Sequence, residues 1–222
     1  MSTLPLHFRV GHLFVEAGGA WWLLDTGAPA SFGSVPTLSL AGQQVQLGSN
    51  YIGLTPASLS QFVGVECAGL LGADVLGQFD LLLDASHNIV AVSTAELQHS
   101  GQFLRLDEFM GIPIVSVKIR GADFRMFFDT GAQVSYFQDD SLTDFPPAGT
   151  MTDFYPGVGQ FRTETHDVEV TVGATAFTLR CGTLPGLLGA TLMLAGTQGI
   201  IGNQVLIERS VGFFPRRRLL VL

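Results

Sequence analysis

Charge is what this 222-residue sequence has least of: Asp, Glu, Lys and Arg together make up 14% of it. A disordered chain needs the opposite balance, since low hydrophobicity and high charge are what prevent a core from forming. Positive charge is scarcer still, with 11 Lys and Arg against 19 Asp and Glu, a formal net charge of −8. Nucleic-acid partners require clustered cations to neutralise phosphates, so none is expected. The one basic run, Arg216-Arg217-Arg218, lies between two apolar strand-like runs and is expected to be a solvated turn.

Other absences narrow the field further. There are two cysteines, Cys67 and Cys181, one in each half and in no metal or redox spacing. Met1 to Gly11 shows no secretory signal, so the thiols are expected to stay reduced and the chain to be cytoplasmic. No apolar run approaches the length of a bilayer span, and no membrane partner is expected. Five histidines (His7, His12, His87, His99, His166) follow no ligand spacing, so no metal site is expected. With no Gly-rich nucleotide loop and no Ser-His-Asp arrangement, no cofactor is expected either.

What is present is apolar and broken into short pieces. Hydrophobic residues make up 47%, with 27 Gly and 17 Phe. Short apolar runs punctuated by Gly and Pro predict strands joined by turns, hence a mainly all-β fold. The chain also repeats itself. Leu13 to Phe32 (LFVEAGGAWWLLDTGAPASF) aligns without gaps to Val117 to Tyr136 (VKIRGADFRMFFDTGAQVSY), placing Asp25 and Asp129 104 residues apart. A Ser follows each Asp six residues later (Ser31, Ser135). Leu70 to Val92 likewise aligns to Ile200 to Leu222, each opening on two apolar residues and a Gly. Short helix-like pieces follow at Ala73 to Gln78 and Asn203 to Arg209. The order of motifs is the same in both halves, which predicts a duplicated lobe at 1–95, a connection at 96–109 and a second lobe at 110–222. No inhibitory pro-segment of any size is expected.

The paired Asp25-Thr26-Gly27-Ala28 and Asp129-Thr130-Gly131-Ala132, with Leu70-Leu71-Gly72 and Ile200-Ile201-Gly202, resemble the pepsin and retroviral-protease superfamily of aspartic peptidases. Leu187-Leu188-Gly189 competes for the second apolar-apolar-Gly; Gly202 is preferred because everything after it aligns to the first half. The resemblance implies two pseudo-twofold-related lobes with a cleft between them and a shared sheet at the base. It also implies that Asp25 and Asp129 form a catalytic dyad hydrolysing peptide bonds through an activated water. Two carboxyls so close cannot both ionise and share one proton, which supplies an acid and a base together. Gly27 and Gly131 allow tight turns whose N–H groups face the carboxylates. By resemblance, Thr26 and Thr130 bond across the axis, while Leu23, Leu24, Phe127 and Phe128 keep the loops dry. Ala28 and Ala132 stand where pepsin-like members carry Ser or Thr. Without that hydroxyl on the charged form, a mildly rather than strongly acidic optimum is expected.

Spacing separates the halves. From Asp to apolar-apolar-Gly is 47 residues in the first (25 to 72) and 73 in the second (129 to 202). The surplus is enough for a β-hairpin and is expected at Thr152 to Leu179, with a flap-like tip bringing Tyr155, Gly157 and Val158 near substrate. Gln44 to Thr55 is short, so a single flap from the second half is expected. Asp74, Asp80, Asp84 and Asp139-Asp140 read as caps or solvent-facing turns, and at least one of Trp21 and Trp22 as core. The expected partner is a peptide or protein substrate with hydrophobic side chains flanking the cut, and one chain suffices for activity as a monomer. The alternatives are a catalytically silent peptide-binding member of the same fold and a structural protein whose turns organise the interface.

Overall fold

The computed structural model describes residues 1–138 and 141–222; Asp139 and Asp140 lie outside the described residues. The chain is mostly β, with short helices, the longest described being Pro56–Val63 and Gly186–Leu194. Each half opens with a hairpin. His12–Ala17 pairs antiparallel with Ala20–Leu24, and Ile112–Ile119 pairs likewise with Ala122–Phe128. A third strand then joins each hairpin in parallel: Gly69–Leu71 beside Ala20–Leu24, and Gly199–Ile201 beside Ala122–Phe128. Such strands are covered on both faces, which is why Leu23-Leu24 and Phe127-Phe128 are consecutive buried residues rather than an alternation.

The register fixes what lies beneath each Asp. The Asp25 N–H donates to the Leu71 carbonyl at 3.0 Å, and the Asp129 N–H to the Ile201 carbonyl at 2.9 Å. A Cβ at Gly72 would come within 2.6 Å of the Ala28 oxygen, and one at Gly202 within 2.4 Å of the Val134 oxygen. Only glycine fits where the turn is pressed so closely onto the strand. Gly202 is therefore the counterpart of Gly72; Gly189 lies inside the helix Gly186–Leu194.

The closing hairpins join the halves. Asp80–Asp84 pairs with Ile89–Ser93 in the first, Ser210–Phe214 with Leu219–Val221 in the second. Ser210–Phe214 also pairs with Asp80–Asp84, Val211 opposite Leu83 and Phe213 opposite Leu81. Among the described residues this gives one ten-stranded sheet that runs through the first half and carries the C-terminal strands, and a separate eight-stranded sheet for the rest of the second half. A division at 1–95 and 110–222 therefore cuts through a continuous sheet. The expected connection is itself structured, Phe103–Arg105 pairing with Leu219–Val221 and Asp107–Phe109 with Ile112–Ile119.

Two expectations about charge are overturned at this base. Asp80 does not face solvent: it is fully buried, and Arg216 and Arg217 are its partners, at 2.8 and 2.5 Å. Its second oxygen also accepts the Leu97 N–H at 2.9 Å, and Arg217 donates to the Leu97 carbonyl at 2.6 Å. Arg216 and Arg217 of the basic run clamp the inter-half connection against both closing hairpins, while the exposed Arg218 pairs with Glu108. Burial of a carboxylate is costly unless cations and donors satisfy it, and here two guanidinium groups do so. Asp84 behaves as expected, capping a turn by accepting from Ser86 Oγ and the His87 N–H. Trp22 is the core tryptophan, its indole N–H donating to the Ala17 carbonyl at 3.0 Å, while Trp21 is half-buried beneath Arg9. Cys67 and Cys181 are buried and unpaired.

The surplus of the second half falls later than expected. The 104-residue step that relates Asp25 to Asp129 also relates Tyr51-Ile52-Gly53-Leu54 to Tyr155-Pro156-Gly157-Val158. Both are tight turns. Tyr51 and Leu54 exchange backbone bonds at 2.8 and 2.9 Å around Ile52 and Gly53, whose φ values are 47° and 79°. In the second half the Val158 N–H donates to the Tyr155 carbonyl at 3.0 Å, with Pro156 preceding Gly157 at φ 80°. From the helices onward the step becomes the one relating Gly72 to Gly202, Pro56 matching Gly186. The extra chain thus forms the body of Gly159–Val172 and Thr175–Thr183, behind the turn. Thr152 to Leu179 begins too early because it includes a turn that the first half also has.

Candidate active site

The two Asp-Thr-Gly-Ala turns meet and interlock. Thr26 Oγ donates to the Phe128 carbonyl at 2.6 Å and accepts the Thr130 N–H at 3.0 Å. Reciprocally, Thr130 Oγ donates to the Leu24 carbonyl at 2.8 Å and accepts the Thr26 N–H at 3.1 Å. Both threonines are buried, and each hydroxyl uses its donor and an acceptor on the opposite half. The expected bonding across the axis is what the structure has.

Within each turn the carboxyl is held by its own backbone. Asp25 Oδ1 accepts the Gly27 and Ala28 N–H groups at 3.0 and 2.9 Å; Asp129 Oδ1 accepts those of Gly131 and Ala132 at 2.9 and 3.1 Å. The glycines have a second role. A Cβ on Gly27 would lie 2.2 Å from Asp129 Oδ2, and one on Gly131 would lie 2.4 Å from Asp25 Cγ. Each glycine is the wall against which the opposite carboxyl rests.

Burial raises the proton affinity of both carboxyls. Asp25 is held well above the ordinary carboxylate value, first by burial, then by the charge of Asp129 and a hydrogen bond to it. Asp129 is raised as well, again chiefly by burial. Four backbone donors counter the shift without cancelling it. Carboxyls placed this way disfavour double ionisation, and a proton they retain belongs to the pair rather than to either residue.

Support beneath the turns is duplicated only in part. Ser31 Oγ accepts the Gly72 N–H at 2.7 Å, as Ser135 Oγ accepts that of Gly202 at 3.1 Å. Ser31 also donates to Asp74 at 2.5 Å, so Asp74 buttresses the site rather than merely capping a helix. In the second half the buried Asn203 donates to the carbonyls of Thr130 and Gly11 at 3.2 and 3.0 Å. His12 is buried with Nδ1 3.1 Å from the Gly131 carbonyl, and burial lowers its proton affinity. A neutral ring donating Nδ1–H to that carbonyl fits both facts.

Around the dyad lies a pocket lined from both halves, with Leu23, Leu54 and Leu70 from one and Tyr136, Phe161 and Leu184 from the other. An adjoining pocket that shares Asp129, Tyr51 and Tyr155 with it is walled on its own part by Phe109, Met110, Ile112, Phe127 and Leu192. Of the three expected flap residues, Tyr155 lines both pockets. Gly157 instead meets the first half, where a Cβ on it would lie 3.2 Å from Ile52, and Val158 is 37% exposed at the tip. Phe154, next to Tyr155, stacks on Phe62 of the opposite half at 4.8 Å. The hairpin of the second half thus reaches across the dyad onto the first.

Sequence reasoning missed Tyr51, which lines both pockets opposite Tyr155. Burial and the nearby dyad raise the proton affinity of both phenols, Tyr155 to about 12. The signal was present, since Tyr-x-Gly recurs at the same 104-residue step as the aspartates. Asp153 was missed too. It is nine-tenths buried, lines the dyad pocket, and accepts from the Tyr136 hydroxyl and the Phe154 N–H. Among the described residues no cluster suited to a metal ion is found, and no helix is long and apolar enough to cross a membrane. No protein-family model matches the chain, and a comparison with curated proteins finds no match.

Proposed function

We propose that the protein is an aspartic endopeptidase whose Asp25 and Asp129 activate a water for attack on a peptide bond. The observation that carries this reading is the interlocked pair of turns, in which each carboxyl lies against the glycine of the opposite turn. Such a pair holds an acid and a base at one point. The charged member removes a proton from the water as its oxygen attacks the peptide carbonyl carbon, and the protonated member donates to the carbonyl oxygen. As the diol collapses, the protonated member donates to the leaving amine while the charged member takes a proton from a diol hydroxyl, which restores the singly protonated pair without a covalent enzyme intermediate. Backbone N–H groups at each Oδ1 hold the carboxyls in register throughout.

The substrate in this reading is an extended peptide lying between the dyad and the Tyr51 and Tyr155 turns, its side chains filling the pockets on either side. Ala28 and Ala132 supply only backbone N–H groups to the carboxyls, and the raised proton affinities accord with a mildly acidic optimum. Both aspartates come from one chain, so activity as a monomer belongs to the same proposal. The test is incubation with a mixed peptide library. Cleavage by the wild type, lost in both Asp25→Asn and Asp129→Asn, supports the peptidase. Peptide binding without cleavage in the wild type supports a silent peptide-binding protein instead.

A further inference from the structure

The two halves treat the residues above the dyad differently. The 104-residue step that superposes the turns matches Phe32 to Tyr136 and Ser49 to Asp153. In the first half Phe32 is a fully buried hydrocarbon side chain and Ser49 carries no charge. In the second, the Tyr136 hydroxyl donates to Asp153 Oδ2, and the Phe154 N–H donates to Oδ1 at 2.8 Å. The pair is therefore held in one orientation by a phenol and a backbone amide. A carboxylate has about four acceptor positions, and these two bonds leave part of that capacity free.

What Asp153 lacks is a countercharge. It is 9% exposed, yet among the described residues no Lys, Arg or His forms an ion pair with it. Asp80, the comparably buried carboxylate at the base, is gripped by two arginines. Buried charges are paired as a rule, because desolvation is costly without a partner. Asp153 differs from Asp80 in one further respect: it lines the dyad pocket. The neighbouring pocket, which also reaches Asp129, does not include it and is walled mainly by apolar side chains.

We infer that Asp153 is a specificity-determining residue whose missing countercharge arrives with the substrate, as a lysine or arginine side chain next to the scissile bond. This rests on the peptidase reading for the word scissile, but recognition of the cation does not. The chemistry asks for a primary ammonium or guanidinium on an aliphatic stem. The stem packs against Leu184 and Phe161 while the head meets the carboxylate. The apolar pocket on the other side takes a large hydrophobic side chain. The substrate is thus polarised across the cut, cationic on one side and apolar on the other, where two identical halves would favour similar groups on both. Tyr136 is a positioning residue, fixing the carboxylate rather than meeting the cation.

The test uses peptides identical except for lysine, arginine or the neutral norleucine at each position flanking the bond, with two readouts. One is kcat/KM with the wild type. The other is equilibrium binding to the Asp25→Asn protein, which does not require turnover. At one flanking position lysine and arginine should exceed norleucine by roughly 10- to 100-fold, the range of a charge-assisted hydrogen bond. Asp153→Asn keeps an acceptor for Tyr136 and should bring that ratio close to one. Asp153→Ser with Tyr136→Phe, which copies the first half, should do the same and guards against a folding defect in either variant. Norleucine equal to lysine at both positions, or a ratio unchanged in the variants, overturns the inference. Cationic preference in binding with no cleavage of any peptide overturns the peptidase reading and upholds this one. Cleavage without cationic preference does the reverse.

Discussion

The first half of the chain and the second agree atom for atom at the dyad and part company a few residues away. Each supplies one threonine hydroxyl, two backbone donors to its aspartate, one glycine against the opposite carboxyl and one serine beneath. Beyond that ring, Phe32 and Ser49 correspond to Tyr136 and Asp153, Ala73 corresponds to Asn203, and only the second half adds a long hairpin behind its turn. The difference teaches where symmetry is demanded. Reciprocal bonds across an axis require the same donor and acceptor on both sides, so the turns are equal. In the proposed peptidase reading the substrate is a peptide, which has direction, so the surfaces that meet it would gain from being unequal.

The largest expected effect tests the equality. Asp25→Asn and Asp129→Asn should each reduce peptide cleavage by at least the roughly 10²- to 10⁴-fold ascribed to acid–base catalysis, and by the same amount within experimental error. A tenfold gap between them, measured as kcat/KM on one peptide, would mean that the halves are not equivalent even at the dyad. Next comes the base, where symmetry is absent because one carboxylate serves both halves. Asp80→Asn leaves Arg216 and Arg217 without their shared charge and loosens the connection at Leu97. Breaking a buried ion pair costs about 3–5 kcal/mol. These arginine side chains are 33% and 21% exposed, so the lower end applies. A fall in the urea midpoint should register it; an unchanged midpoint would reduce the clamp to a surface contact.

Smaller effects distinguish the threonines. Thr26→Ala removes the donor to the Phe128 carbonyl and the acceptor for the Thr130 N–H, leaving both buried groups unsatisfied. Thr130→Ala does the same to Leu24 and Thr26. Each should cost about 1–3 kcal/mol, and the double variant should cost less than the sum because the four bonds form one network. Strict additivity in a double-mutant cycle would break that account.

How far the molecule could be read from its sequence follows the same division. The turns were legible because they repeat: Asp, Thr, Gly and the later Ser recur at one spacing, and local chain geometry then dictates the backbone donors. Gly202 was legible through alignment, and the packing of Val134 against it gives the reason. Tyr51 escaped because the first-half turn was judged by its length rather than by its match to Tyr155. Asp80 and the arginines escaped for a different cause. They lie 136 and 137 residues apart, and no local pattern marks a pair that only the sheet register brings together. Asp153 shows no sequence signal by itself; it stands out only when laid over Ser49 and found in a pocket without a cation.

The smallest effect is a dependence of stability on pH, and it bears on whether the two carboxyls are strained by their proximity. Both have folded-state proton affinities raised above the ordinary carboxylate value, chiefly by burial. The stability they contribute is fully present below that ordinary value and is lost as pH rises through the raised folded values. The folded chain holds protons there that the unfolded chain has released. Asp25→Asn removes one titrating group and the charge facing Asp129, while its amide can still donate to the remaining carboxylate. Against the wild type, the variant should therefore show little difference in Tm in strong acid. It should become progressively more stable as pH rises from the ordinary carboxylate value toward neutrality, by no more than about 1.4 kcal/mol per pH unit. Asp129→Asn should trace the same curve if the dyad is symmetric, and a higher curve if Asp153, whose charge also raises Asp129, makes the second half the more strained of the two. A difference in Tm that stays flat with pH would mean that the carboxyls do not repel one another in the folded protein, and the shared proton would lose its physical basis.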